Sequence, residues 1–399
     1  MKILTFSTLF PNAEKPGHGI FVETRLRHLV ASGQVEARVV APVPWFPLNH
    51  PRFGDYAQFA KVARSENRSG IAVQHPRYPV LPKIGMNVAP ALLAAGARAS
   101  VARLLDEGYD FDLIDAHYFY PDGVAAAMLG KYFNKPVVIT ARGSDITQLP
   151  NFALPRRMIK WAARRAAGVI TVCHALRDEV IALGVDPARV TSLRNGVDLQ
   201  LFQPLAPAAR EAARARLGLT GFTLLAVGHL VPVKAQQLAV AALAELPDVR
   251  LLIAGNGPNR AMLEQLAREL KVSDRLTMLG ALPQSQLRDY YGAADALVLP
   301  SEREGWANVL LEAMACGTPV IASRVWGTPE VVAAPEAGLL MEERTPQGLA
   351  AAVRALRANY PDRAATRRYA ERFSWDDTTA GQLALFRSIL AGKEATAYA

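Results

Sequence analysis

Short apolar, β-rich runs alternate with helical patterns along nearly all of this 399-residue chain, and that alternation most constrains its fold. In the first half, strands are expected near Lys2–Phe6, Ala37–Val43, Ile71–Tyr78, Leu113–His117, Val137–Ala141, Val169–Val172 and Val190–Leu193. In the second half they are expected near Thr223–Val227, Arg250–Ala254, Leu276–Leu279, Ala296–Leu299, Val320–Ala322 and Leu339–Met341. Helical periodicity fills the gaps, as at Ala235–Glu245, Arg260–Lys271 and Gln284–Ala293. A parallel neighbour needs a crossover long enough to hold a helix, so this alternation predicts α/β architecture with parallel sheets. The length allows two separate cores, hence two Rossmann-like domains. Two prolines near Leu199–Pro207 break the periodicity and mark a boundary. The expected domains are residues 1–200 and 201–374, followed over 375–399 by a helix to about Leu390 and a tail.

Composition narrows the class. The two cysteines, Cys173 and Cys316, each lie in an apolar run, which suits a reducing compartment and offers no disulfide framework or metal cluster. The opening Met-Lys-Ile-Leu-Thr-Phe-Ser reads as a strand without an export signal, so a cytoplasmic location is expected and a periplasmic binding protein is disfavoured. The weakly polar stretch Asn87–Leu105 is interrupted by Arg98 and Arg103 and reads as a surface or core helix. Residues 1–200 hold 24 Lys and Arg against 16 Asp and Glu, and the remainder holds 21 against 20. The basic character is densest at Arg156, Arg157, Lys160, Arg164 and Arg165, interleaved with Met158, Ile159 and Trp161. A basic helix carrying an aromatic suits an anionic membrane surface, which would make the protein peripheral at the inner face of the membrane. No nucleic-acid motif accompanies it. The prolines between Asn12 and Arg52, as in Pro42-Val-Pro-Trp-Phe-Pro47, predict a stretch that is largely loop, although Gly17-His-Gly-Ile-Phe-Val-Glu23 reads as opening a helix.

Chemistry concentrates after the strand expected at Ala296–Leu299. Glu304-Gly-Trp-Ala-Asn-Val-Leu-Leu-Glu312 sets two carboxylates eight residues apart, across a segment reading as a loop and the first turns of a helix. Eight helical residues rise about 12 Å and turn about 80° beyond two full turns. A helix N-terminus between two carboxylates favours a ligand with an anionic middle and a polyol at each end, as in a nucleotide sugar.

The string from Gly305 to Ser323 resembles the signature of the retaining, GT-B-fold glycosyltransferases of family 4. The resemblance implies two Rossmann-like domains facing across a cleft, with the last helix crossing back to the first domain after Phe373-Ser-Trp375. It implies that Glu304 meets hydroxyls of the transferred sugar and Glu312 those of the ribose. Backbone amides at Asn308, Val309 and Leu310 would meet sugar or phosphate. Gly228-His-Leu-Val-Pro-Val-Lys234 resembles the family's diphosphate clamp, with Lys234 in place. His229 stands where Arg is usual, and Ala235 stands where Gly is common. Arg is always charged and forked, whereas His must be protonated to supply charge, so weaker diphosphate binding is expected. Gly17-His-Gly19 occupies the place of the family's glycine loop, facing diphosphate and acceptor. Asp115-Ala-His117 and Thr140-Ala-Arg-Gly-Ser-Asp145 resemble acceptor-domain strings, with His117 at the donor sugar and Arg142 and Asp145 beside the acceptor.

The implied reaction moves a sugar, with retained configuration, from a UDP-sugar, preferred over a GDP-sugar, to a saccharide or lipid-linked saccharide. Similarity of the N-terminal strings points to bacterial surface polysaccharide synthesis. No cofactor or metal is expected, because Asp110-Phe-Asp112 precedes a strand instead of following one. A silent nucleotide-sugar sensor or partner subunit, and an epimerase or hydrolase, are the alternatives.

Overall fold

The computed structural model describes residues 1–46, 50, 55–80 and 85–397. The chain forms two compact units, Met1–Arg194 with Asp376–Ala399, and Asn195–Trp375.

The first unit contains β1 (Lys2–Phe6), β2 (Glu36–Val40), β3 (Val43–Pro44), β4 (Ser65–Arg68), β5 (Ile71–Gln74), β6 (Arg77–Tyr78), β7 (Leu113–His117), β8 (Val137–Ala141), β9 (Gly168–Thr171) and β10 (Val190–Ser192). Its main sheet runs β10-β9-β8-β7-β1-β2-β5-β4. Every pairing in that sheet is parallel except β4 on β5. The strands expected at Ala37–Val43 and Ile71–Tyr78 each divide in two, and their second pieces, β3 and β6, pair in a small sheet of their own. Pro42 and Pro76 sit at the two breaks. Proline has no N–H for the ladder, so the chain leaves the main sheet there.

The stretch Asn12–Arg52 is loop only in part: the helix expected to open at Gly17-His-Gly19 and the strand expected at Ala37–Val43 both form, as the helix Ile20–Ala31 and the interior strand β2. Its prolines flank these elements, and residues 47–49 and 51–54 lie outside the described residues. The helix Gly85–Asp106 is long and apolar enough to cross a membrane by length and composition, yet Leu93, Ala97, Val101 and Leu104 are buried within the unit.

The second unit contains β11 (Phe222–Val227), β12 (Val249–Ala254), β13 (Leu276–Gly280), β14 (Ala296–Leu299), β15 (Val320–Ser323) and β16 (Gly338–Met341). They form one parallel sheet in the order β13-β12-β11-β14-β15-β16. This is the doubly wound order, with its switch point between β11 and β14. Leu224, Leu251, Ile253, Val298 and Ile321 form its buried centre beneath Val240, Leu263 and Val353 from the helices.

The last helix, Trp375–Ala397, continues through most of the expected tail. Leu383 and Phe386 from this helix join Ile3, Leu26, Val39, Leu113 and Ile170 in the first unit's core.

Candidate active site

In the second unit the key side chains emerge at the switch point, where ligands bind doubly wound sheets. The loop after β11 carries Gly228, His229 and Lys234, and the loop after β14 carries Glu304. Glu302 N–H donates to the Val233 carbonyl at 2.8 Å, tying the two loops together. Lys234 Nζ then donates to Glu304 Oε1 at 2.6 Å. Glu304 is buried and Lys234 partly exposed, so this ion pair has one wet side. His229 is exposed, and its carbonyl accepts from Gln236 Nε2 at 3.0 Å. Ala235 adopts the left-handed region, φ 50° and ψ 35°, as the chain turns into the helix Gln236–Ala242. The loop after β12 presses against this turn. A Cβ at Gly255 would lie 1.9 Å from the Gly228 carbonyl oxygen, so only glycine fits there.

Glu304 is followed by the helix Asn308–Ala315. The Gly327 N–H donates to the Glu304 carbonyl at 3.4 Å from the other side of the loop. Asn308 accepts through Oδ1 from Asn195 Nδ2 at 3.2 Å, and Trp306 Nε1 donates to the Asn195 carbonyl at 3.0 Å. Asn308 and Val309 are partly exposed at the helix start. Leu310 differs from expectation: its N–H donates to Ala307 O at 3.0 Å and its side chain is fully buried.

Glu312 is anchored within the second unit. Its Oε2 accepts from the Tyr291 hydroxyl at 2.7 Å and its Oε1 from Gln284 Nε2 at 3.0 Å. The group is buried, and burial raises its carboxyl above the ordinary range. Each oxygen thus accepts one hydrogen bond from inside the unit. Tyr291 and Gln284 come from the helix Gln284–Ala293, and the E-x7-E spacing gives no sign of either.

The first unit gathers its polar groups at the same place in its topology, the carboxyl ends of β1, β7 and β8. Gly19 caps the helix Ile20–Ala31 at φ 67°, and a Cβ there would lie 2.3 Å from Leu9 O. Gly17 has open space around it. The loop between is pinned where Thr8 Oγ1 donates to Asp122 Oδ2 at 3.1 Å. Burial raises the Asp122 carboxyl to about 7.

His117 and Asp145 require correction. His117 is almost fully buried; its Nε2 lies 3.2 Å from Asp115 Oδ2 and its Nδ1 2.6 Å from Arg142 Nη2. With both ring nitrogens engaged, the imidazole does not present a polar atom to a sugar. Burial, ahead of the opposing Asp115 charge, lowers it to about 4, so it is neutral at pH 7. Asp145 is fully buried and accepts backbone N–H groups from Phe119 at 2.6 Å, Gly143 at 2.7 Å and Arg142 at 3.1 Å. It shapes the loop instead of facing an acceptor. Arg142 is partly exposed and, lowered to about 9 mainly by burial, still cationic at pH 7. Of Arg142 and Asp145, both expected beside the acceptor, Arg142 alone is partly exposed.

Comparison with known proteins assigns the family. Residues 17–201 match the family described as Glycosyltransferase Family 4, and residues 209–373 match Glycosyl transferases group 1. A Bacillus subtilis protein named as a teichuronic acid biosynthesis glycosyltransferase, TuaC, is 32% identical over 359 residues, covering 88% of each chain. The chain is a family 4 glycosyltransferase. A D-inositol 3-phosphate glycosyltransferase of Catenulispora acidiphila is 29% identical, covering 98% of this glycosyltransferase and 96% of its own length. Among solved structures, sucrose-phosphate synthase from Thermosynechococcus elongatus superposes with a TM-score of 0.80 at 23% identity, covering 98% of this chain and 99% of that one. Anabaena HepE in complex with UDP-glucose superposes with a TM-score of 0.71 at 20% identity, covering 99% and 100%. These likenesses establish the GT-B fold.

The glycosyltransferase's densest basic cluster lies on the helix Ala153–Arg165. Arg156, Arg157, Arg164 and Arg165 are exposed, Lys160 and Trp161 half-buried, and Arg165 Cζ stands 4.9 Å from the Trp161 ring centroid. Phe152 and Leu154, at the N-terminal end of the helix, are large apolar side chains left exposed.

Proposed function

We propose that the enzyme transfers a sugar from a UDP-sugar to a hydroxyl of a saccharide or lipid-linked saccharide, with retention and without a metal, in surface polysaccharide synthesis. The observation that carries this reading is the Lys234–Glu304 pair, 2.6 Å apart beside the start of the helix Asn308–Ala315 at the switch point. The donor diphosphate sits against Lys234, His229 and that helix start, where cation and dipole stabilise the charge that develops on departure. Glu304 takes sugar hydroxyls. The bond between the anomeric carbon and the diphosphate oxygen breaks. The acceptor oxygen bonds that carbon on the same face, and its proton passes to the departing phosphate. HepE, of the same fold, is in complex with UDP-glucose, and the relative TuaC is named for teichuronic acid biosynthesis; both support the reading.

The basic helix with exposed Phe152 and Leu154 supports a peripheral position on an anionic membrane. Failure to co-sediment with anionic vesicles at low salt would remove that part.

The deciding experiment is calorimetric titration with UDP, GDP, ADP and their sugar conjugates in the absence of divalent metal. Saturable binding of UDP and its conjugate is expected. Binding only with metal, or of another base alone, overturns the corresponding part. His229 in place of a permanently charged Arg is the one observation favouring a silent sensor, and saturable binding with no transfer to any acceptor would select it.

A further inference from the structure

A buried polar chain in the first unit is not used by the chemistry proposed above. Arg25, on the helix Ile20–Ala31, is only 2% exposed. Its Nε donates to Gln382 Oε1 at 2.9 Å and its Nη1 to the Leu193 carbonyl at 3.2 Å. Gln382, on the last helix, donates through Nε2 to Asp115 Oδ2 at 2.9 Å. That same oxygen faces His117 Nε2 at 3.2 Å, and His117 Nδ1 faces Arg142 Nη2 at 2.6 Å. Asp115 Oδ1 has no partner among the described residues, so both bonds fall on one oxygen.

Each link has a single permitted direction. A guanidinium only donates. Arg142 therefore requires His117 Nδ1 to accept, which places the imidazole proton on Nε2. Asp115, as a carboxylate, accepts that proton and also accepts from Gln382. At the far end Arg25 requires an acceptor, which turns Gln382 Oε1 toward it and Nε2 toward Asp115. The chain thus joins a residue near the C-terminus to a guanidinium at the end of β8. Burying such charged groups is costly, and apolar residues of similar volume often stabilise a fold as well or better. Stability alone does not account for the arrangement. Its output is the orientation of Arg142, whose Cζ also lies 5.1 Å from the Phe21 ring centroid.

We infer that Gln382 is a positioning residue for Arg142, acting through Asp115 and His117. Gln382 holds Asp115 as an acceptor aimed at His117 Nε2, and the resulting tautomer offers Nδ1 to Arg142. The last helix therefore sets a side chain of the acceptor side, an inference that rests on the place beside the acceptor that the family resemblance implies for Arg142.

The test uses the full-length protein with 15N-labelled histidine and arginine. In the wild type the expected state of His117 is the Nε2–H tautomer alone, and finding Nδ1–H there overturns the inference without any variant. Gln382→Met keeps the chain length and removes both polar ends. The expected result is mixed His117 tautomers, a shifted Arg142 side-chain N–H signal, and acceptor kcat/KM lowered by up to about 100-fold, as a misplaced group can cost, with donor Kd unchanged. Gln382→Glu, assayed at pH 8, restores the acceptor for Arg25 but not the donor for Asp115. A merely structural role predicts recovery of kcat/KM in Gln382→Glu, and that recovery overturns the inference. An unaltered tautomer in folded Gln382→Met also overturns it. Altered His117 and Arg142 signals with unchanged acceptor kinetics would support the relay and remove Arg142 from the acceptor side, which separates the two readings.

Discussion

Replacing Tyr291 with Phe isolates one hydrogen bond to a buried carboxylate. The Tyr291 hydroxyl donates to Glu312 Oε2 at 2.7 Å, and Phe keeps the ring edge-on to Phe202, with centroids 5.8 Å apart. A hydrogen bond to a charged group contributes about 1.5–3 kcal/mol and one between neutral groups about 0.5–1.5. The cost should therefore depend on the charge of Glu312. Burial raises that carboxyl from its ordinary 4.5, while Tyr291 and Gln284 oppose the rise by holding the anion. A carboxyl raised on folding binds its proton more tightly in the native state. Its contribution to stability is therefore greatest at low pH and falls as pH climbs from the unfolded value through the folded one. Losing Tyr291 raises the carboxyl further and deepens that fall. The expected loss for Tyr291→Phe is larger at pH 8 than at pH 4, within the range of about 0.5–3 kcal/mol spanned by neutral and charged hydrogen bonds. Urea unfolding of both proteins at the two pH values, followed by tryptophan fluorescence, measures it. An equal loss at both pH values, or a larger one at pH 4, would refute the reasoning.

Lys234→Ala should weaken UDP binding and Glu304→Ala should lower turnover more than donor affinity. Because the two form one pair, the double variant should depart from additivity by about 0.5–3 kcal/mol, and an additive cycle would mean the pair does not act as a unit. Gly255→Ala should destabilise the second unit by about 1–3 kcal/mol, since its Cβ would lie 1.9 Å from the Gly228 oxygen; an unchanged unfolding midpoint would contradict the tight packing of these loops. His229→Arg should tighten UDP binding, because a guanidinium brings a permanent charge and a fork of donors to the diphosphate. Calorimetry showing no change at pH 8 would take His229 away from the diphosphate.

Strands such as Leu113–His117, Val137–Ala141 and Ala296–Leu299 were legible because they are continuous apolar runs, buried on both faces of a parallel sheet. The edge strand Ser65–Arg68 was not, because its polar residues bury nothing continuous and its place comes from antiparallel pairing with β5. Lys234 and Glu304 could each be singled out by motif, but their contact spans 70 residues and is made by the strand order. The partners of Glu312 and the contact of His117 with Arg142 were missed for the same reason. A faint signal existed for two others. Arg25 lies among Val22, Leu26 and Leu29 on the buried helix face, and Gln382 lies four residues from Thr378 and from Phe386 on another. A long polar side chain on an apolar stripe must have a buried partner, although the stripe does not say which.

Leu383 and Phe386 complete the core of the unit that begins at Met1, although the whole second unit intervenes in the chain. During synthesis the first unit therefore cannot close when its own first 194 residues have emerged. It waits for the second unit to be made, at about 5–20 residues per second. The second unit, being contiguous, can fold first. The order of folding on the ribosome is thus expected to run against the order of the sequence, leaving the strands of the amino-terminal sheet in need of protection until the last helix arrives.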